Sequence, residues 1–265
     1  MALSKIGDKG LFTKELEVAL LNGEIDLAVH SLKDIPTRLP QGCKIGCITK
    51  RENSQDVMIS PKGYTLDTLP KGAKVGTSSL RRRAQILNHR NDITLEDIRG
   101  NLSTRLNKMV AEDFDAIILA AAGIIRMGWQ DKITQYIPMN ISLPAVGQGA
   151  LGIEIREDDP DTQQVIAHLH HEQSAYEVSA ERSLLSYLEG GCQIPIGALG
   201  KVHDKSLTLE AMVASLDGNT LIRDKIQGCI SKNEELGIQL AQRLVEKGAG
   251  EILKEVRQET DADAK

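Results

Sequence analysis

The apolar positions in the middle of the chain predict short buried strands that alternate with helices of about ten residues. In order, the pattern gives a strand that ends near Ser78, a helix over 79–88, a strand over 93–98, a helix over 102–111, a strand over 115–120 and a short helix over 121–127. Such alternation is typical of a parallel or mixed sheet built from βα units. The predicted fold class is therefore α/β.

The N-terminal part ends a predicted strand in a polar elbow. The elements predicted here are a helix over 11–22, a strand that leads into Asp34, and a strand over 44–49. Ile25, Leu27 and Val29 alternate with other residues, which predicts that they form the buried face of the first strand. Because ligands of open α/β sheets lie beyond the carboxyl ends of strands, Lys33 and Asp34 are a candidate site. A surface ion pair is the alternative.

Beyond residue 150 the pattern changes to helices followed by antiparallel strands. The predicted elements are a strand over 151–156, helices over 160–171 and 174–188, strands over 207–214 and 221–229 about a turn at 217–219, a helix over 233–247 and a frayed tail over 259–265. The charged segment 50–56 and the Pro- and Gly-containing segment 143–150 carry no periodic apolar pattern. We interpret both as hinges between domains.

Composition narrows the function more than the fold. The chain has 265 residues, 41% of them hydrophobic and 26% charged, as expected for an ordinary soluble globular protein. No apolar run is long enough for a transmembrane helix, and we see no signal peptide. A net charge of −5 argues against nucleic acid as a partner, so any anion site must be a local cluster. Four cysteines without metal-ligand spacing indicate a reducing cytosol or a plastid-like compartment.

Local clusters of arginine follow the predicted strands. The segment 76–83 brings Thr77, Ser79, Arg81 and Arg82 to the start of a helix, where free N–H groups favour an anion. Further arginines stand at corresponding places after the next two strands, at positions 99, 105 and 126. If the strands are parallel, these side chains meet at one edge and suit a ligand with several carboxylates or phosphates. A capped helix with solvated arginines is the alternative.

A single cysteine in a loop is the remaining candidate for chemistry. Cys192 follows two glycines and precedes Pro195, so a bulky group could approach its thiol closely. A small buried hydrophobic role is the alternative. His30, His170 and His171 have no partners at metal-ligand spacing, and we interpret them as structural or solvated.

Taken together, these motifs resemble the porphobilinogen deaminase family, whose members are hydroxymethylbilane synthases. The matching stretches, in family order, are Gly7–Phe12, Ala28–Asp34, Gly76–Arg82, Arg99–Asn101, Leu143–Ala150 and Glu189–Gly197. The resemblance implies three α/β domains, of which the first two are similar to periplasmic binding proteins with mixed sheets and the third is a small domain with an antiparallel sheet. It implies boundaries of 1–49 plus 150–167, 55–143, and 172–265.

The resemblance also implies the chemistry. Family members join four porphobilinogen units head to tail, with release of ammonia, on a dipyrromethane primer. The primer would be held by a thioether to Cys192, and Asp34 would be the catalytic carboxylate. By resemblance the primer's carboxylates would be bound by Lys33, Thr77, Ser79, Arg81 and Arg82, and the incoming unit or growing chain by Arg99, Arg105 and Arg126, with Phe12 and Lys9 beside the cleft. A cytoplasmic or plastid-stromal monomer is expected.

The chain departs from the family pattern at its start. It begins about fifty residues downstream of the family's first residue and lacks the family's arginine-serine motif, first strand and first helix. We expect exposed backbone and apolar surface in the first domain, and we expect a truncated product or a misplaced start. Two other interpretations stay open: a two-lobed anion-binding module without catalysis, and a remnant that folds but cannot elongate.

Overall fold

The structure is a computed structural model that describes residues 9–189 and 194–263, with side chains from 13 to 189 and from 194 to 259. The strands are β1 (Leu27–Ser31), β2 (Cys43–Ile48), β3 (Asp56–Ile59), β4 (Lys74–Gly76), β5 (Thr94–Glu96), β6 (Ala116–Ala120), β7 (Gln135–Tyr136), β8 (Leu151–Arg156), β9 (Ile196–His203), β10 (Ser206–Ala214) and β11 (Leu221–Cys229). The helices are α1 (Lys9–Leu21), α2 (Leu80–His89), α3 (Leu102–Ala111), α4 (Ala121–Arg126), α5 (Pro160–Ile166), α6 (Glu172–Tyr187), α7 (Asn233–Leu244) and α8 (Gly250–Asp263).

The strands form three separate sheets within the described residues. The first has the order β1-β8-β2 with antiparallel pairing, and the third has the antiparallel order β11-β10-β9. The second has the order β5-β4-β6-β3-β7 and is mixed, because β4 pairs in parallel with β5 and β6 whereas β3 runs antiparallel to its neighbours. The α/β fold class and the antiparallel third sheet are thus confirmed.

The second sheet is buried on both faces. One face of β3 and β6 contributes Met58 and Ile118 to an apolar cluster, and the other contributes Val57 and Ile117 to a second cluster. Side chains of alternate residues point to opposite faces of a strand, so both clusters need apolar partners from covering segments. This double burial explains why these strands have continuous apolar runs rather than an alternating pattern.

The prediction for the first strand was wrong about which face is buried. Leu27 and Val29 are 37% and 54% exposed, whereas Ala28 and His30 are buried. His30 is accommodated because its Nε2 lies 2.9 Å from Glu154 Oε2 on the neighbouring strand β8. Apolar alternation alone favoured the opposite face, since it could not show that a buried carboxylate on β8 lies within hydrogen-bond distance of the histidine.

Two more elements differ from the prediction. Strand β9 was not predicted, because Gly197 and Gly200 interrupt its apolar pattern; a Cβ at Gly200 would lie 2.7 Å from the backbone oxygen of Glu177. The prediction of a frayed tail from residue 259 was also wrong, because helix α8 continues to Asp263. Its early turns bury Leu253 and Val256 in the core of the third sheet, which keeps the chain helical beyond the predicted end.

The connections between the first two sheets fall near the predicted hinges. The chain passes from β2 to β3 through residues 49–55 and returns from β7 to β8 through residues 137–150. The first sheet is therefore built from two separated parts of the chain. The proposed domain boundaries stay a prediction, with one sheet in each predicted domain. No helix in the described part of the chain is long and apolar enough to cross a membrane.

The packing of α6 against α7 generates a stability prediction. A Cβ at Gly237 on α7 would lie only 2.3 Å from the backbone oxygen of Ala180 on α6, whereas a Cβ at Gly250 would meet nothing closer than 3.6 Å. Alanine is the better helix former at both positions by up to about 1 kcal/mol. We expect Gly237→Ala nevertheless to lower the free energy of unfolding by about 1–3 kcal/mol, because the helices must separate. Gly250→Ala is the matched control, and urea unfolding measures both. Equal stability of the two variants would contradict this close packing.

Candidate active site

A cavity of about 490 Å³ lies between the first and second sheets. Its wall on the side of the first sheet includes Ser31, the last residue of β1, together with Lys33 and Asp34, which follow this strand. The other wall is cationic, and its charged residues are Arg82, Arg105 and Arg126. Among the described residues, the cavity lining thus combines one carboxylate with four cationic side chains, and it lies where strands of the two sheets end. This is the expected location of a ligand site in open α/β sheets.

Asp34 is placed by a short turn that is anchored at its beginning. The turn is a 3-10 helix over Leu32–Asp34, in which the Ile35 N–H donates to the Leu32 carbonyl at 3.2 Å. Leu32 is 1% exposed, and its N–H donates to the carbonyl of Ala150 at 3.0 Å. The apolar anchor therefore fixes the backbone while Lys33 and Asp34 remain partly exposed at the cavity.

Arg105 faces the same cavity from the start of α3. Asn101 caps that helix, because its Oδ1 accepts a hydrogen bond from Thr104 N at 2.8 Å. Arg105 Nε donates to the Gly100 carbonyl at 2.8 Å, which orients the guanidinium toward the beginning of its own helix. Burial lowers the pKa of Arg105, and the negative charge of Asp34 acts in the opposite direction. Asp34 and Arg105 therefore interact electrostatically across the cavity.

Arg82 is held in place by a buried carboxylate. Its Nε donates to Asp56 Oδ1 at 2.9 Å and its Nη1 to the Ile118 carbonyl at 3.0 Å. Arg81 binds the other oxygen of Asp56, with Nη1 2.7 Å from Oδ2. Burial works to raise the pKa of Asp56, yet the two guanidinium groups hold that pKa well below its usual range. Asp56 is consequently ionised and fixes the side chain of Arg82 beneath the cavity.

Asp56 also joins the two connections between the sheets. Besides the arginines, it accepts hydrogen bonds from Ser142 Oγ at 2.9 Å and from Gln148 Nε2 at 3.0 Å. Ser142 and Gln148 belong to the connection that returns to the first sheet, whereas Asp56 ends the outgoing one. One buried carboxylate therefore orders both connections and the cationic wall.

A second buried ion pair ties these connections to the third sheet. Arg51 Nη1 lies 2.5 Å from Glu181 Oε1 on α6, and Arg51 Nε donates to the Gln148 carbonyl at 2.9 Å. Glu181 also accepts hydrogen bonds from the N–H groups of Gly147 at 2.8 Å and Gly200 at 2.7 Å. Every carboxylate oxygen is therefore satisfied, as a buried charge requires. The three sheets meet at this pair.

The structure brings together some of the predicted site residues and separates others. Those that line the cavity are Lys33, Asp34, Arg82, Arg105 and Arg126. Thr77 and Arg81 are buried beside it rather than in its lining, and Ser79 is partly buried. Arg99 is 74% exposed and 3.5 Å from Asp97, outside the lining. Cys192 and the side chains of Lys9 and Phe12 lie outside the described residues.

Sequence reasoning missed two residues of the site. Asp56 stands in the charged segment taken as a hinge, and composition does not distinguish a buried carboxylate from a solvated one. Gln148 lies in the second hinge, where the glycines on either side were the stronger signal. An acid that directly precedes the apolar run Val57–Ile59 was the available clue to burial. No group of three or more His, Cys, Asp or Glu side chains in the described ranges has metal-binding geometry.

Comparison with known proteins identifies the family. A model described as "Porphobilinogen deaminase, dipyromethane cofactor binding domain" matches residues 1–164, and one described as "Porphobilinogen deaminase, C-terminal domain" matches residues 175–246. The chain belongs to the porphobilinogen deaminase family. This confirms the resemblance, the transferase class and dipyrromethane as the family's cofactor.

Curated relatives agree over nearly the whole chain. Porphobilinogen deaminase of Desulforamulus reducens is 57% identical over 257 residues, which cover 97% of this chain and 83% of the relative. The porphobilinogen deaminase of Synechococcus elongatus is 54% identical over 259 residues, covering 97% and 81%. Among solved structures, a periplasmic solute binding protein of Desulfovibrio salexigens is 12% identical with a TM-score of 0.40, covering 62% of this chain and 59% of its own.

The buried Asp56 cluster generates a stability prediction. Asp56→Asn leaves Arg81 and Arg82 buried without their charged partner, so we expect the free energy of unfolding at pH 7 to fall by about 3–5 kcal/mol. Because the folded pKa of Asp56 is depressed, its contribution is complete above the unfolded pKa near 4 and is lost as the pH falls below that value. The variant should therefore have a flatter acid limb in urea unfolding measured against pH.

Asp97→Asn is the control for this prediction. Asp97 pairs with Arg99 at the surface, where both side chains are more than half exposed. Its removal should cost less than about 1 kcal/mol. If Asp56→Asn were as stable as this control, the buried cluster would not be the organising contact described above.

Proposed function

We propose that this chain is a hydroxymethylbilane synthase, which condenses four porphobilinogen units on a dipyrromethane primer and releases ammonia at each step. The observation that carries the proposal is the Asp34 carboxylate, the only one in the described lining, which faces a wall of cations in the cavity between the first two sheets. The family assignment supports the reaction, and the charges of the cavity support the substrate. The substrate would be porphobilinogen, bound by a monomer in the cytoplasm, or in the stroma if the source has plastids.

The cationic wall fits a ligand that is rich in carboxylates. Porphobilinogen carries an acetate and a propionate side chain, so the negative charge of the bound chain increases with every unit added. Arg82, Arg105, Arg126 and Lys33 can each form charge-assisted hydrogen bonds, on the order of 1.5–3 kcal/mol per bond. A volume of about 490 Å³ is within the range of small-molecule sites. These residues therefore fit the dipyrromethane and a further pyrrole unit.

The cations divide by position. Arg82 and Lys33 reach the cavity and would bind the primer's carboxylates, whereas Arg81 and Thr77 would act from the layer behind them and Ser79 from the start of α2. Arg105 and Arg126 would bind the incoming unit or the growing chain, and the exposed Arg99 would meet it at the rim. Phe12 and Lys9 keep their proposed places beside the cleft.

Asp34 would carry out the acid–base work. When bound through Cys192, the dipyrromethane supplies the pyrrole carbon to which the first unit is joined. The Asp34 carboxylate stabilises the positive charge that remains when ammonia leaves, and it accepts the proton that the joined carbon gives up. At about 4 Å and an effective dielectric constant of 20, the attraction is roughly 4 kcal/mol. The Asp34 carboxylate is partly exposed to the cavity. It can therefore both balance the positive charge of the intermediate and pass the accepted proton to solvent.

The attachment of the primer tests the role of Cys192. We expect the intact mass of the denatured chain, purified from cells that make tetrapyrroles, to exceed the sequence mass by one dipyrromethane. Cys192→Ser should lose this increment. Cys229→Ser is the matched control, because Cys229 is exposed and a hydrogen bond with Ser231 lowers the pKa of its thiol. A non-specific adduct would form there. An increment that survives Cys192→Ser would remove this residue from the mechanism.

Removal of the Asp34 charge tests the catalytic role. We expect Asp34→Asn to lower the rate of porphobilinogen consumption by at least about 100-fold, the usual share of general acid–base catalysis. The thermal unfolding midpoint should stay unchanged, since Asp34 is partly exposed. Asp67→Asn, at an exposed acid beside His89, is the control. Turnover near that of the unmodified chain in Asp34→Asn would show that another group carries the chemistry.

A further inference from the structure

Arg182 on α6 binds the segment that directly follows Asp34. Its Nη1 donates to the carbonyl of Ile35 at 3.2 Å and its Nη2 to the carbonyl of Pro36 at 2.7 Å. The partners are 147 and 146 residues apart in the chain, so the contact joins its first and third parts. Arg182 is not among the residues that line the cavity. Its function therefore differs from that of the arginines that face the ligand.

This contact completes the support of the catalytic turn. On one side of Asp34, the buried Leu32 is held by the Ala150 carbonyl at 3.0 Å. On the other side, Arg182 binds the two consecutive carbonyls of Ile35 and Pro36. The carboxylate stands between these two anchors. Loss of either anchor would allow the turn to rotate and would change the direction of the side chain.

Helix α6 presents Arg182 from a packed face. Val178, one turn before, is fully buried in the same apolar cluster as Leu32. Ser186, one turn after, lines a cavity of about 250 Å³ together with Arg38. Residues four apart lie on one face of a helix, so Val178, Arg182 and Ser186 share one face of α6. This face lies along the segment from Leu32 to Arg38. The guanidinium is therefore held against a fixed support.

The chemistry of the contact favours positioning over simple charge pairing. Burial lowers the pKa of Arg182, and no carboxylate in the described part of the chain forms an ion pair with it. A partly buried cation without an acid partner costs stability unless its hydrogen bonds are well made. The planar guanidinium fork binds two neighbouring carbonyls at once, which a lysine cannot reproduce. The arginine is thus specific for the backbone geometry after Asp34.

We propose that Arg182 is a positioning residue for the condensation: it fixes the backbone after Asp34 and so directs the carboxylate into the cavity. The proposal rests on the proposed function of Asp34. The same helix leads directly to the segment that contains Cys192. Helix α6 therefore contacts the segment after Asp34 through Arg182 and, at its C-terminal end, leads into the segment that contains Cys192.

Kinetics of Arg182→Gln and Arg182→Lys test the proposal. We expect Arg182→Gln to lower kcat, expressed per primer-loaded chain, by about 10- to 100-fold, as small displacements of a catalytic group do. KM should change by less than about 2-fold, because the substrate-facing cations are intact. Arg182→Lys keeps the positive charge and a donor nitrogen but lacks the planar fork, so it should recover only part of the loss. Arg243→Gln is the matched control, since Arg243 pairs with Asp224 at 2.9 Å within the third part of the chain.

Hydrogen exchange supplies a readout independent of turnover. In Arg182→Gln, the amides of residues 33–35, 37 and 38 should exchange at least about 10-fold faster, while the same amides in Arg243→Gln stay as in the unmodified chain. Unchanged exchange, or an unchanged kcat at full primer load, would overturn the proposal. A kcat loss fully accounted for by lower primer load would overturn it too. If the unmodified chain neither carries a primer nor turns over porphobilinogen, the proposed function fails, whereas exchange still tests the hold of Arg182.

Discussion

The buried carboxylate of Asp56 is the contact on which the rest of the site depends. It compensates two arginines that would otherwise be buried cations, and it receives hydrogen bonds from Ser142 and Gln148 in the returning connection. An uncompensated buried charge is far more costly than a missing surface pair. The cluster therefore fixes the second sheet, both connections and one cationic wall together. Arg82 is held by Asp56 and by the Ile118 carbonyl, and in this fixed position it lines the cavity.

The site consists of two layers of charge with different purposes. In the deeper layer, Arg81 pairs with Asp56 and Arg51 pairs with Glu181, and Arg82 shares Asp56 while it also lines the cavity. The layer at the cavity places Lys33, Arg82, Arg105 and Arg126 in the same described lining as Asp34. This separation explains how a chain with a net charge of −5 can present a local anion site. Burial lowers the pKa of Arg105 because it disfavours the charged guanidinium, and a carboxylate-rich ligand would offset this cost of burial.

Much of this arrangement could be predicted from the sequence, because it is encoded in local patterns. The α/β alternation, helix α3, and the positions of Lys33, Asp34 and Arg105 all follow from short-range signals. Contacts between distant segments could not be predicted in this way. Nothing near His30 in the sequence shows that Glu154 lies within hydrogen-bond distance of it, so the buried face of β1 was assigned wrongly. Asp56 and Arg182 were missed for the same reason: their partners lie 25 or more residues away.

We expect the chain itself to carry the growing product in the cavity that Asp34 lines. In the most direct test, the unmodified chain is mixed with less than one equivalent of porphobilinogen, and in a second series with several equivalents. The reaction is quenched rapidly, and the intact mass of the denatured chain is measured by mass spectrometry. We expect a series of covalent species heavier than the primed enzyme, with successive masses that differ by one porphobilinogen less one ammonia. A single mass at every substrate ratio, while porphobilinogen is consumed, would contradict it.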